Sequence, residues 1–259
     1  AATLLIEGGG FFGGTAAAVL DTIYGFFAPG TDERVVGGIG WEVASGLLDS
    51  GAALLRGNSY GAGIGVTYEP EALKMAWDHL LVESGVVPLL HARFAAVVLE
   101  RQRISAVVIL TRRGPFLVRA ERFVDASGDA EVAWAAGCAL EQPSPRSRVQ
   151  PLTTTFRVGG VSEPATTAEL HRLLREAAAS GEYRLPRLEG SSHHTVLPGV
   201  FHTNLTRVSI NDPTNPWAIT AAEIEGRSQT EEYVRFLRDR MPGYEDSYLL
   251  STSVWIGTR

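Results

Sequence analysis

The 259 residues are 45% hydrophobic and 20% charged, enough apolar chain for a large core and one or two domains. The formal net charge of -6 argues against nucleic acid as the main partner, because phosphate binding needs a basic surface. The single cysteine, Cys138, excludes a disulfide framework and a paired-cysteine redox centre, so redox chemistry here must come from a cofactor.

Residues 2–7, ATLLIE, form an apolar run that ends in an acid and meets Gly8, Gly9 and Gly10, the pattern of a buried parallel strand. Gly13, Gly14 and Ala16 to Ala18 mark a second place of small-residue approach. Residues 25–65 are glycine-rich and read as long loops around a short amphipathic helix at 41–50. Residues 70–84 predict a clear helix: Pro70 suits the first turn, and Leu73, Trp77, Leu80 and Leu81 recur at helical spacing before Gly85 ends it. Four extended runs follow, VVPLLHA, FAAVVLE, ISAVVIL and FLVRAERFVDA, with turns at 101–103 and 113–115 and the middle two antiparallel. Arg101, Arg103, Arg112 and Arg113 read as a solvated hairpin face.

The fourth run leads into RFVDASGDAEVAWAAG at 122–137, a short strand, a turn of very small residues and an alanine-rich helix; Cys138 after it is expected to pack as a small hydrophobe. The polar, proline-bearing EQPSPRSR at 141–148 is a domain boundary, giving domains at 1–142 and 149–259, the first with a helical and loop insertion at about 20–84. Beyond it, 152–158 and 196–210 predict strands of another sheet, and 163–180 and 223–240 predict helices, the second ending before Pro242 and Gly243. No apolar run approaches the roughly 20 residues that span a bilayer, and the start lacks a basic signal-peptide region. The expectation is a soluble, cytoplasmic chain with no membrane partner.

The turn at 125–130 offers almost no side-chain bulk, so backbone N–H groups could face a dinucleotide directly, while close packing of a helix on a sheet explains the same residues equally well. Glu7, an acid at the carboxyl end of an apolar strand, stands where dinucleotide-binding folds accept two ribose hydroxyls; the other reading is an ordinary strand-ending charge. His193 and His194 are adjacent, so on a strand they face opposite ways and make a poor metal pair; no metal is expected. One of them facing a cavity could act as a base, since imidazole titrates near neutrality, against the plainer reading of a solvated loop histidine. Asn204 and Arg207 in FHTNLTRV are expected on one side, where they could hold a substrate carboxylate or carbonyl, or form a structural ion pair. Asp78 and His79 lack the nucleophile turn of a hydrolase, and Gly57 to Gly65 lacks the lysine and hydroxyl of a P-loop.

LLIEGGGFFGGTAAA, YEPEALKMAWDHLLVESGV, LLHARFAAVV, FVDASGDAEVAWAAG, QPLTTTFRVGGV, AEIEGRSQ and VRFLRDRMPGYEDSYLL occur in that order. Together they resemble bacterial FAD-dependent oxidoreductases with a glutathione-reductase-like FAD domain, over nearly the whole chain. The resemblance implies an α/β fold in which a Rossmann-like FAD-binding domain carries an inserted β-rich α+β substrate domain. It implies FAD as cofactor, with Glu7 on the adenosine ribose and Gly13, Gly14 and Thr15 lining the pyrophosphate and flavin side. Ala126, Ser127, Gly128 and Asp129 match the family's small turn beside the cofactor, with Ser127 where threonine is more usual.

Relative to that family the chain lacks the glycine-rich first strand and turn, and it stops at Ile256 to Arg259 where the resemblance would continue. It therefore reads as an FAD-dependent oxidoreductase or an internal fragment of one, expected to bind FAD weakly or not at all. The function expected of the parent is hydride transfer from a small organic substrate to flavin, with His193, His194, Arg207 and Asn204 as catalytic candidates. The alternative is a non-catalytic binding or assembly module on a truncated dinucleotide-binding fold. An FAD-dependent RNA-modifying protein is disfavoured by the acidic balance. A homo-oligomer is a possible state.

Overall fold

In a computed structural model, which describes residues 2–57, 63–140, 149–163 and 165–258, the apolar run at the start forms strand β1 (Leu4–Ile6) and the small residues that follow form the short helix α1 (Gly14–Ala18). Next come β2 (Thr22–Ile23), α2 (Ile39–Asp49), β3 (Ala53–Gly57), β4 (Ile64–Tyr68) and α3 (Pro70–Glu83). The middle of the chain holds β5 (Val87–Leu89), β6 (Arg93–Glu100), β7 (Arg103–Thr111), β8 (Gly114–Arg119) and α4 (Glu131–Ala135). The last third holds β9 (Phe156–Gly159), α5 (Thr167–Ser180), β10 (Ser191–His194), β11 (Phe201–Asn204), α6 (Pro216–Arg240) and β12 (Tyr248–Thr252). The fold is mixed α/β. The boundary segment 141–148 and residues 58–62 of the glycine-rich stretch lie outside the described residues.

Two compact units divide the chain differently from a cut near residue 142: unit one is Ala1–Phe12 with Trp77–Arg146, and unit two is Gly13–Ala76 with Ser147–Arg259. In unit one, β1 pairs in parallel with β5, as a uniformly apolar strand ending in Glu7 suggests, but it is not fully buried: Leu4 is exposed. The hairpins β6–β7 and β7–β8 make an antiparallel sheet whose inner side chains, Ala92, Val107 and Ile109, are buried with Ile6, Leu89, Phe94 and Val118 packed on them. The β6–β7 turn is tight, with Arg101 and Gln102 both at positive φ (51° and 62°), and the four hairpin arginines are exposed.

Unit two carries two antiparallel sheets, one ordered β2-β4-β3 and one ordered β10-β11-β9-β12. Helices α5 and α6 supply Leu170, Leu174, Tyr233, Phe236 and Leu237 to a core completed by Phe156, Val158, Phe201 and Tyr244 from the second sheet and its surroundings. Thr166 caps α5 by accepting from the Glu169 N–H at 3.2 Å, and Asn215 caps α6 by accepting from the Trp217 N–H at 2.9 Å.

Several local expectations are corrected. The glycine-rich stretch contains β3 and β4, and Gly57 and Gly65 occupy paired ladder positions opposite Ile64 and Arg56. α6 begins at Pro216, seven residues before 223, because Asn215 caps it and Pro216 suits its first turn ahead of the run WAITAA. β10 lies at 191–194, ahead of the 196–210 run, held by pairing to β11. No strand forms at 122–125: Val124 is 88% exposed, and among the described residues no strand pairs with it. Cys138 is exposed. Among the described residues no helix is long and apolar enough to cross a membrane, and no group of three or more histidine, cysteine or acidic side chains is placed to hold a metal ion.

Candidate active site

Unit two buries a carboxylate inside an apolar segment. Asp21 stands between Leu20 and β2 and is 1% exposed. Its Oδ1 accepts from Thr22 Oγ1 at 3.0 Å and lies 3.0 Å from His193 Nε2. Thr22 Oγ1 is 2.9 Å from Thr67 Oγ1, which accepts from Arg56 Nε at 3.1 Å; Arg56 also reaches Tyr24 Oη at 3.0 Å. A guanidinium can only donate, so the order Arg56, Thr67, Thr22, Asp21 sets the direction of every hydroxyl along it. An ionised carboxylate can only accept, so His193 carries its proton on Nε2.

The register of the second sheet places a row of polar residues across one face. His193 of β10 is opposite His202 of β11, His202 is opposite Arg157 of β9, and Arg157 is opposite Ser251 of β12. The two imidazole centroids are 5.3 Å apart with the planes 31° from parallel. His202 Nδ1 lies 3.5 Å from Asp21 Oδ2, a buried oxygen with no hydrogen-bond partner among the described residues. Arg157 grips Glu69, just ahead of α3, through two bonds of 2.9 and 2.6 Å. His202 and Arg157 both line a cleft of about 200 Å³, together with Thr155, Ser253, Lys74 and the small residues Ala17 and Ala18 of α1. Lys74 Nζ is 2.7 Å from Glu71 Oε1 at the same cleft.

The electrostatics give the two histidine-facing oxygens different roles. Burial works to raise the Asp21 carboxyl, but attraction to His202 and the hydrogen bond from His193 outweigh it and hold it at about 2. Burial pushes the His202 imidazole down to about 4, against the pull of Asp21. At neutral pH the pair is therefore a carboxylate beside a neutral imidazole. Burial, with the nearby Asp21 charge adding to it, also pushes the Tyr68 hydroxyl up, and that hydroxyl donates to the Ala16 carbonyl at 2.7 Å.

Of the catalytic candidates read from the sequence, only His193 belongs to this cluster. His194 faces the other way, as adjacent strand residues must, and lies exposed with its ring 6.5 Å from Phe201. Asn204 accepts from Arg187 Nη1 at 2.7 Å and from Thr153 Oγ1 at 3.1 Å. Arg207 pairs with Glu189, which lies 3.7 Å from Arg187, so Asn204 and Arg207 are joined through a structural polar network. Asp21 and His202 were not among the candidates. The only local signal for Asp21 is an acid in the otherwise apolar AVLDTI, and nothing in its neighbourhood names partners some 170 residues away.

The small-residue segments have their own geometry. In unit one, Asp125 Oδ1 accepts from the Ser127 N–H and hydroxyl at 3.1 and 2.7 Å, its Oδ2 accepts from the Ala133 N–H at 2.9 Å, and Ser127 Oγ accepts from the Glu131 N–H at 2.9 Å. These bonds shape an exposed turn whose side chains are spent on the turn itself. Also in unit one, Glu7 Oε1 accepts from the Gly9 N–H at 2.6 Å, which fixes the carboxylate at the end of β1.

The sequence profile of the family described as FAD dependent oxidoreductase matches residues 1–259. The chain belongs to that family. No curated protein matches it. Among solved structures, BexE, studied for oxidation during BE-7585A biosynthesis, is similar with a TM-score of 0.55 at 13% identity, covering 100% of this chain and 47% of that one. CabE, an aromatic hydroxylase from angucycline biosynthesis, follows at 0.53 and 14% identity over 99% of this chain and 47% of its own. The p-nitrophenol 4-monooxygenase PnpA from Pseudomonas putida DLL-E4 gives 0.52 and 11% identity over 99% and 62%. The chain thus spans about half the length of the first two, and identities this low speak for the fold alone.

FAD is the cofactor of the family, and the glycines that the resemblance assigns to it lie at exposed turns. Gly14 in unit two and Gly128 in unit one have φ of +50° and +88°, and a Cβ on either would meet no atom within 4 Å. At both positions it is the left-handed backbone that favours glycine, and the space beside each is open. Thr15 and the turn residues Ala126, Ser127 and Asp129 are exposed beside these glycines, and Gly13 is partly so.

Proposed function

We propose that the chain serves FAD-dependent oxidation of a small organic substrate by hydride transfer, with the substrate taken up in the unit-two cleft. The observation that carries this reading is the buried Asp21 cluster, which brings His202 to the wall of a cleft also lined by Arg157 and Lys74. A neutral imidazole with a carboxylate behind it is equipped to receive a proton, and the cleft volume of about 200 Å³ suits a small molecule.

In this reading Glu7 and the turn residues Ala126, Ser127, Gly128 and Asp129 are the candidates of unit one for contact with FAD, Glu7 accepting from the adenosine ribose, and Gly13, Gly14 and Thr15 are those of unit two, for its pyrophosphate and flavin. Bound FAD supplies the two-electron acceptor. The protein's own share is to orient the substrate, exclude water and hold a proton. The Arg157–Glu69 pair fixes the floor of the cleft, and Lys74 and Ser253 offer donors to a polar substituent.

The test is anaerobic. The FAD-loaded protein is mixed with a panel of 2-hydroxy acids, secondary alcohols and primary amines, and flavin absorbance is followed. Bleaching by at least one class, weakened several-fold by Lys74→Ala, is expected. A flavin that binds stoichiometrically yet stays oxidised with every class contradicts the reading.

A further inference from the structure

We propose that His202 is the proton acceptor of the unit-two cleft, receiving the proton on Nε2, and that Asp21 is the positioning residue that holds it through Nδ1. This deepens the reading above and rests on it for the oxidant.

The argument begins with the asymmetry of the Asp21 carboxylate. All the donors that reach it arrive on one oxygen: Thr22 Oγ1 and His193 Nε2 both approach Oδ1, at 3.0 Å each. The other oxygen, Oδ2, is buried and has no hydrogen-bond partner among the described residues, which for an ionised oxygen is costly. The group that faces it is His202 Nδ1 at 3.5 Å, a few tenths of an ångström beyond a good hydrogen bond. A proton on Nδ1 meets the need of Oδ2, whereas a lone pair there would oppose the carboxylate. That assigns His202 the tautomer with Nδ1–H, and a neutral imidazole then has its lone pair on Nε2.

The neighbours favour the same assignment. His193 is already committed to Oδ1, so it cannot serve the second oxygen. The directional chain from Arg56 through Thr67 and Thr22 keeps Asp21 ionised by delivering a donor to it. The charged and titratable groups around His202 are Asp21, His193 of β10, Arg157 of β9 and Arg56 of β3. Tyr68 of β4 faces Asp21, and Lys74 and Glu71 of α3 share the cleft wall. Burial, with the guanidinium groups of Arg157 and Arg56 adding to it, opposes an imidazolium, so His202 is neutral at rest, and Asp21 is the neighbour that stabilises the charge formed on proton uptake.

The substrate class follows. It carries an O–H or N–H on the carbon that is oxidised, as an alcohol or amine does. The O–H or N–H bond breaks and its proton bonds to Nε2. Its electron pair becomes the second bond of a C=O or C=N as the hydrogen on that same carbon leaves with its bonding pair, which bound FAD would take up as the two-electron oxidant.

The experiment has two arms. Nitrogen-15 histidine spectra of the labelled protein, without substrate, are expected to show His202 as the Nδ1–H tautomer at pH 7, and an Nε2–H tautomer or an imidazolium at that pH would overturn the proposal. In the FAD-loaded protein, His202→Gln is expected to slow flavin bleaching by about 100-fold with substrate affinity changed far less, and the acid limb of the pH profile should vanish. Bleaching at the wild-type rate in His202→Gln would overturn the proposal while leaving the oxidoreductase reading intact. If no alcohol or amine bleaches the wild-type flavin, the reading fails, and the tautomer spectrum still decides the role of Asp21.

Discussion

Two aspartates in this chain solve the same problem in opposite ways. Asp125 is exposed, and its bonds are made within eight residues of itself, to Ser127 and to the Ala133 N–H. Desolvation works slightly against its charge, and the hydrogen bonds from Ser127 and from the backbone of α4 hold its carboxyl below the ordinary value. Asp21 is buried, and apart from Thr22 its neighbours come from 172 residues away at His193 and 181 at His202. An exposed carboxylate tied to its own turn shapes backbone, whereas a buried one surrounded by distant imidazoles stores electrostatic energy. The first kind belongs to local structure and the second to chemistry.

The comparison can be broken by mutation. Asp21→Ala strands the Thr22 and His193 donors in a dry site and is expected to cost about 3–5 kcal/mol, read as a fall in urea midpoint. Its counterpart Asp125→Ala removes only local turn and helix-start bonds, an expected loss of about 1 kcal/mol. Equal losses at the two sites would erase the distinction.

Acid offers a second separation. His202 has a folded value of about 4 against an ordinary 6.5, so between those two pH values the unfolded chain takes up a proton that the folded one refuses. Stability is full above pH 6.5 and falls as pH drops towards 4, by roughly 3 kcal/mol. The depressed carboxyls act lower: Asp21, at about 2 instead of 3.8, loses its contribution only as pH falls between those values. His202→Gln should therefore flatten the loss above pH 4.5 that Asp125→Asn leaves in place, as urea unfolding across pH would show. The smallest expected effect lies in unit one, where replacing Arg101 and Gln102 by Asn and Gly relieves two positive φ angles and should raise stability by about 1 kcal/mol.

The same contrast explains what the sequence made legible. The small-residue turn at 125–130, the parallel strand ahead of Glu7, the β6–β7 hairpin and helix α3 are each specified by residues near one another, and each is in place. The short strands β3 and β4 were hidden because their glycines resemble loop punctuation, and the strand expected at 122–125 depended on a pairing that its own residues do not supply. His193 could be named as a candidate because two adjacent histidines are conspicuous. Choosing His202 over His194 required the register of β10 on β11 and the position of Asp21 beneath both, which are tertiary facts. The bonds of Asn204 to Arg187 and of Arg207 to Glu189 are tertiary in the same way, and the sequence around them names neither partner.

The most direct measurement is the rate of anaerobic flavin reduction per bound flavin in Asp21→Asn, a change that keeps shape and removes charge. With flavin retained, the rate should drop by about 100-fold because the imidazolium on His202 loses its counter-charge. An Asp21→Asn protein that folds, binds flavin and is reduced at the wild-type rate would contradict the account.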